Sequence, residues 1–207
     1  MPSKYRLRYI FKPLVKLVAR GLIRIGVSPN LATIIMICFS ILSFISIGLF
    51  QNLLLFSIFV FITGIMDGCD GAIARLTNKS TKFGGFFDSV MDRISEFLIF
   101  LGLYIYNHNQ FLWSMIDMKL IIFISFLASI MISYTRARAE NFFKGDFDIG
   151  LMARSERLFY LVITMMISFF WNFVKEFLFL FMWLVVITYI FRMIKIYYLL
   201  KKIGITQ

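Results

Sequence analysis

Four aspartates, Asp67, Asp70, Asp88 and Asp92, stand within MDGCDGAIARLTNKSTKFGGFFDSVMDR, Met66 to Arg93, in a chain that is 60% hydrophobic. Asp67 and Asp70 are three residues apart and Asp88 and Asp92 four apart, so each pair shares one helical face and two helices can present all four carboxylates to one point. A charged carboxylate at bilayer depth costs at least ~2.5 kcal/mol, so four together need compensation. Without cations among them, one or more would have to protonate. All-oxygen ligands favour a hard ion, Mg²⁺ or Mn²⁺, and two divalent ions balance four carboxylates. Such a pair of ions suits phosphate chemistry, where metals neutralise phosphoryl oxygens and assist in-line displacement. Two other readings stay open on spacing alone. The acids could be salt-bridged to Arg75, Lys79, Lys82 and Arg93, or they could serve an ion-coupled transporter.

The elements that must position these acids are membrane helices. Mean hydropathy of +0.85, 26 Phe, 3 Pro and 16% charged residues in 207 select an integral membrane protein of all-α class, with one domain over 1–207. Six apolar windows approach the ~20 residues needed to cross a bilayer: 31–50, 53–74, 85–106, 119–137, 157–173 and 177–199. They form a predicted six-helix bundle over 29–200. Residues 1–28 are expected to be an amphipathic juxtamembrane helix. There Lys4, Arg6, Arg8, Lys12, Lys16, Arg20 and Arg24 alternate with apolar residues and leave no uninterrupted run for a cleavable signal peptide. GVSPNLAT closes that segment, with Ser28 or Asn30 available to cap the first span.

The loops alternate in charge. Arg75, Lys79 and Lys82 lie between the second and third windows, Arg136, Arg138, Lys144, Arg154 and Arg157 around the fourth and fifth, and Arg192, Lys195, Lys201 and Lys202 near the end. The opposite loops hold only Lys119 with Asp117 and Lys175 with Glu176. The positive-inside rule therefore predicts a cell-membrane protein with both termini and the aspartates on the cytoplasmic side. The net charge of +11 fits an anionic leaflet, and nucleic acid is not an expected partner without a soluble basic domain. Cys38 and Cys69 provide neither a disulfide framework nor a CxxC metal pair.

Asp67-x-x-Asp70-Gly71-x-x-Ala74-Arg75, followed after eight residues by Gly84-x-x-x-Asp88-x-x-x-Asp92, resembles the full signature of the CDP-alcohol phosphatidyltransferases. The resemblance implies transfer of a phosphatidyl-type group from a CDP-linked lipid, CDP-diacylglycerol or CDP-archaeol, to an alcohol, with release of CMP. It also implies a homodimer. Asp67, Asp70, Asp88 and Asp92 resemble the ligands of a two-metal centre, with Asp92 as the base for the acceptor hydroxyl. Asp67, Asp70, Gly71, Ala74, Arg75 and Gly84 resemble a cytidine-diphosphate pocket, and Pro29-Asn30-x-x-Thr33 resembles a family turn that brings Asn30 and Thr33 near the nucleotide, although Pro-Asn also begins many helices.

The acceptor is read from SYTRARAENFFKGDFDIGLMARSER, Ser133 to Arg157, which places Arg136, Arg138, Arg154 and Arg157 at the aspartate end. Guanidinium groups suit a phosphate and would be excessive for a neutral polyol, although positive-inside charge alone also puts arginines here. Ser133-Tyr134, Arg138-Ala139-Glu140 and Arg154-x-Glu156-Arg157 resemble the branch that uses inositol 1-phosphate, the phosphatidylinositol-phosphate and archaetidylinositol-phosphate synthases. Arg136, Ala153 and Ser155 depart from its usual lysine, acid and proline. Glycerol 3-phosphate is the competing acceptor, and serine fits the arginines less well. Glu96 reads as a helix-face partner of Arg93 or Lys82, His108 as a solvated loop residue, and Trp113, Trp171 and Trp183 as interface anchors or packing.

Overall fold

The computed structural model describes residues 7–142 and 150–202; Lys4, Arg6 and Lys144 of the basic pattern lie outside the described residues. After a short α1 (Leu7–Ile10), α2 (Lys12–Arg24) forms with Pro13 in its first turn, where the missing N–H costs nothing. Val15, Val18, Ala19 and Leu22 follow the i, i+3, i+4, i+7 pattern and pack into a cluster with Met36, Met66, Cys69 and Ile73. Lys12, Lys16, Arg20 and Arg24 remain exposed. The amphipathic helix thus docks on the bundle. It packs closely at Gly68, where an added Cβ would come within 3.1 Å of both Val15 methyl carbons.

Six long helices follow among the described residues: α3 (Pro29–Gly48), α4 (Leu53–Leu76), α5 (Lys82–Tyr106), α6 (Met118–Phe142), α7 (Arg154–Trp171) and α8 (Val174–Lys202). Three starts are fixed by side-chain caps that satisfy otherwise orphan amides. Ser28 Oγ accepts from Leu31 N at 3.3 Å, Asn52 Oδ1 from Leu55 N at 3.0 Å and Thr81 Oγ1 from Gly84 N at 2.9 Å. Of the two predicted caps for the first span, Ser28 is the one used. α7 stops at Asn172, which takes the left-handed conformation at φ 54°.

The expected windows capture the apolar middles of these helices and miss their charged ends. α4 runs to Leu76 rather than 74, α5 starts at Lys82 rather than 85, α6 continues to Phe142 rather than 137, and α7 starts at Arg154 rather than 157. Among the described residues, four helices are long and apolar enough to cross a membrane: α3, α4, α6 and α8. α5 carries Lys82, Asp88, Asp92, Arg93 and Glu96, and the shorter α7 carries Arg154, Glu156 and Arg157, which dilute their apolar character.

α3 packs against α4 and α5, α7 against α4, and α6 against α8. The main core runs through Phe56, Val60, Ile99, Leu103, Leu161, Met165 and Phe181. A buried hydrogen bond between Ser40 and Ser95 hydroxyls, 2.7 Å, joins α3 to α5. Among the described residues the all-α expectation has one exception, a hairpin of β1 (Phe111–Leu112) and β2 (Ile116–Asp117) in the link expected to be a short polar loop.

Candidate active site

The C-terminal part of α4 and the N-terminal part of α5 carry the four aspartates, and α3, crossing both, supplies a hydroxyl. Carboxylate oxygens of Asp67, Asp88 and Asp92 lie within 4.8 Å of one another, near enough to share a metal ion. Asp70, the most buried, accepts a hydrogen bond from Thr33 Oγ1 at 2.8 Å and borders Asp88. Three of the expected ligands therefore converge directly and the fourth flanks them. Asp88 Oδ1 is buried with no hydrogen-bond donor among the described residues, which a carboxylate tolerates poorly. A hard divalent cation fits this all-oxygen donor set.

The remaining predicted nucleotide residues ring the same end. A Cβ on Gly84 would lie 3.5 Å from Asn30 Oδ1, so the start of α3 meets the start of α5 there. A Cβ on Gly71 would sit 3.2 Å from Arg75 Nη1, and Ala74 lies half-buried one turn beyond Asp70. Arg75 and Asp67 open onto a cavity of about 360 Å³ between α1, α2, α4 and α7, walled chiefly by Phe11, Val15, Phe61, Leu158 and Phe159.

On the other side of the aspartates lies a more polar cavity of about 410 Å³, bordered by Asp88, Asp92 and a group of cations: Arg93, Arg136, Arg154, Arg157 and Arg192. Arg154 reaches the cluster itself, donating from Nη1 to both Asp67 and Asp92, while its Nη2 lies 3.4 Å from the Asp92 carbonyl oxygen. Arg157 is held as part of the wall. Its Nε and Nη2 donate to the two oxygens of Glu96 at 2.9 and 3.1 Å, Nη1 donates to Met152 O at 3.0 Å, and Nη2 also donates to Ser133 Oγ at 3.2 Å. The expectation that Glu96 pairs with Arg93 or Lys82 is corrected by this geometry. Arg93 instead turns back to Ser89 on its own helix, with Nη1 2.6 Å from Ser89 Oγ.

Arg136 faces the cavity while pairing with Glu140 at 2.8 Å, whereas Arg138, two positions on, is exposed and lies outside that wall. Arg192 was assigned only to the terminal basic group by its sequence position, yet it is 1% exposed and donates to Ile132 O at 2.7 Å. Its signal was available: an arginine flanked by Phe191, Met193 and Ile194 deep in an apolar helix requires a partner or a polar cavity.

A helical bundle with clustered carboxylates at one end, next to a basic cavity, fits an integral-membrane enzyme that handles phosphate groups with the help of divalent metal. The family model for CDP-alcohol phosphatidyltransferase matches residues 26–194, and the chain belongs to that family. It is 34% identical over 164 residues to archaetidylinositol phosphate synthase of Pyrococcus horikoshii, covering 79% of this chain and 81% of that one. It is 34% identical over 158 residues to phosphatidylinositol phosphate synthase of Mycobacterium tuberculosis, covering 73% and 68%. The crystal structure of Mycobacterium tuberculosis phosphatidylinositol phosphate synthase with CDP-DAG bound superposes with a TM-score of 0.76 at 28% identity, covering 89% of this chain and 94% of that one. A second structure of that synthase, in complex with manganese and citrate, has the same TM-score and covers 88% of each chain. The chain is thus a multi-pass membrane transferase of phospholipid synthesis, acting on a CDP-linked lipid and an alcohol.

Proposed function

We propose that the protein transfers a phosphatidyl-type group, carrying diacylglycerol or archaeol, from its CDP-linked form to inositol 1-phosphate. The observation that carries this reading is the cavity beside Asp92: Arg136, Arg154 and Arg192 border it, Arg157 is neutralised in its wall by Glu96, and this excess of guanidinium groups beside a carboxylate site suits an anionic acceptor. The names of the matched synthases support the same alcohol.

In this reading Asp67, Asp70, Asp88 and Asp92 hold two divalent ions, Mg²⁺ with Mn²⁺ as a substitute. When bound, these ions withdraw charge from the diphosphate. Asn30, Thr33, Gly71, Ala74, Arg75 and Gly84 surround the cytidine diphosphate. The apolar cavity next to Arg75 receives lipid chain. The acceptor phosphate sits among the arginines, directing its hydroxyl toward Asp92. Asp92 takes the proton, the hydroxyl oxygen forms a bond to the lipid-bearing phosphorus, and the bond from that phosphorus to CMP breaks. Arg157 shapes the cavity through Glu96, and Arg136 and Arg192 donate hydrogen bonds to the acceptor phosphate.

The same residues support a proposed arrangement in the membrane. One domain spans 1–207, with 1–28 as the juxtamembrane element and 29–200 as six crossings; α5 at 25 residues and α7 at 18 reach ~38 and ~27 Å at 1.5 Å per residue, comparable to the hydrocarbon thickness. Basic loops favour a cytoplasmic active site and cytoplasmic termini. A homodimer is proposed on family grounds. The test offers inositol 1-phosphate, glycerol 3-phosphate, inositol and serine together with CDP-lipid, and separates products by mass. A phosphatidylinositol-phosphate-type product is expected to dominate. Dominance of the glycerophosphate product would assign the cavity to the smaller anion, and solute flux without CMP release would indicate a transporter.

A further inference from the structure

Arg154 belongs to two environments at once. Its Nη1 lies between Asp67 and Asp92 and donates to both, while the same side chain borders the basic cavity with Arg136 and Arg192. The side chain is 15% exposed, and its Nε is buried with no hydrogen-bond acceptor among the described residues. Asp67 and Asp92 are also two of the three carboxylates whose oxygens lie within 4.8 Å of one another. A guanidinium and a divalent ion would therefore claim the same oxygens. One positive charge balances four aspartates poorly, and Asp88 Oδ1 remains without a donor. Divalent ions would supply the missing charge and would repel a guanidinium left among them.

We propose that Arg154 is a placeholder cation in the aspartate cluster, displaced by divalent ions and thereby released to the acceptor cavity that it already borders. The inference rests on the metal-binding part of the proposed function and adds a coupling that the part does not contain. Filling the aspartate cluster raises the positive charge available to an anion next door, so the cavity reaches full strength only once the donor side is prepared. Linkage makes the effect reciprocal: an anion that holds Arg154 in the cavity tightens metal binding.

The test is Mn²⁺ binding to the purified full-length protein in nanodiscs of zwitterionic lipid, read from the electron paramagnetic resonance signal of free Mn²⁺, with no substrate present. Arg154→Gln should bind Mn²⁺ about tenfold more tightly than the wild type, within the usual range of such couplings. Arg154→Lys, which keeps the charge without the planar fork, should fall between them. Unchanged or weaker Mn²⁺ binding by folded Arg154→Gln, with wild-type binding intact, overturns the placeholder role and leaves the metal centre standing. Absence of Mn²⁺ binding by both the wild type and folded Arg154→Gln overturns the metal reading as well. Should Arg154→Gln fail to fold, sulfate decides the matter in the wild type. As a phosphate-shaped anion that coordinates metal weakly, it should tighten Mn²⁺ binding, and no effect would overturn the proposal.

Discussion

Asp92 and Glu96 stand four residues apart on α5, yet their surroundings differ. Glu96 is 3% exposed and spends both oxygens on Arg157, whereas Asp92 borders the polar cavity and meets Arg154. Substitutions at the two positions should therefore fail in different ways. Asp92→Asn keeps shape and removes the proposed base, so CMP release should fall by ~10²–10⁴-fold with little change in the unfolding temperature. Glu96→Gln leaves Arg157 buried without its counter-charge, a defect of ~3–5 kcal/mol, and should lower the unfolding temperature clearly in a detergent melt. Equal melting of both variants would remove the distinction. The aspartates were legible because spacing alone aligns them on helical faces and the fixed motif surrounds them. The Glu96–Arg157 pair was not, because its members are 61 residues apart on α5 and α7 and no local rule joins them. Arg192 was hidden for a related reason: charge near the end of a chain reads as a solvated tail until the helix that carries it is seen to pack.

The elements extend this contrast. Hydropathy located all six long helices but stopped short at the ends that matter, because a window measures preference for oil and not the hydrogen bonds that continue a helix into water. Thr81 caps α5, whose first residue, Lys82, stands six positions before Asp88, an early start that the side-chain cap makes possible. The hairpin between α5 and α6 was illegible in a stretch too short for strand alternation to register. α2 shows the opposite outcome, since its apolar stripe was visible and its docking partner was not. Gly68 is that partner, so Gly68→Leu should push α2 off α4 and disturb the neighbouring cavity. Cleavage after the α2 lysines and arginines by trypsin should accelerate in this variant. Gly68→Ala, with contacts of 3.1 Å that a slight shift relieves, should remain near wild type. Equal digestion of Gly68→Leu and the wild type would mean that α2 does not depend on this contact.

At the scale of the whole molecule, the arrangement places the loop at Asn78 and the hairpin at Ser114 on opposite ends of the bundle, separated by the length of α5. With Cys38 replaced by serine, a membrane-impermeant maleimide should label Ser114→Cys in intact cells and Asn78→Cys only after permeabilisation. The reverse pattern would invert the proposed orientation. The helices α4 to α7 carry charged residues at one end and apolar residues along their middles, and on the proposed membrane arrangement this sets the pocket for the reaction at the edge of the hydrocarbon. On the proposed function, a lipid need not be hoisted out of its leaflet to be remodelled. Its phosphorus is met at the altitude where it already floats, and the finished head is built on tails that never leave the oil.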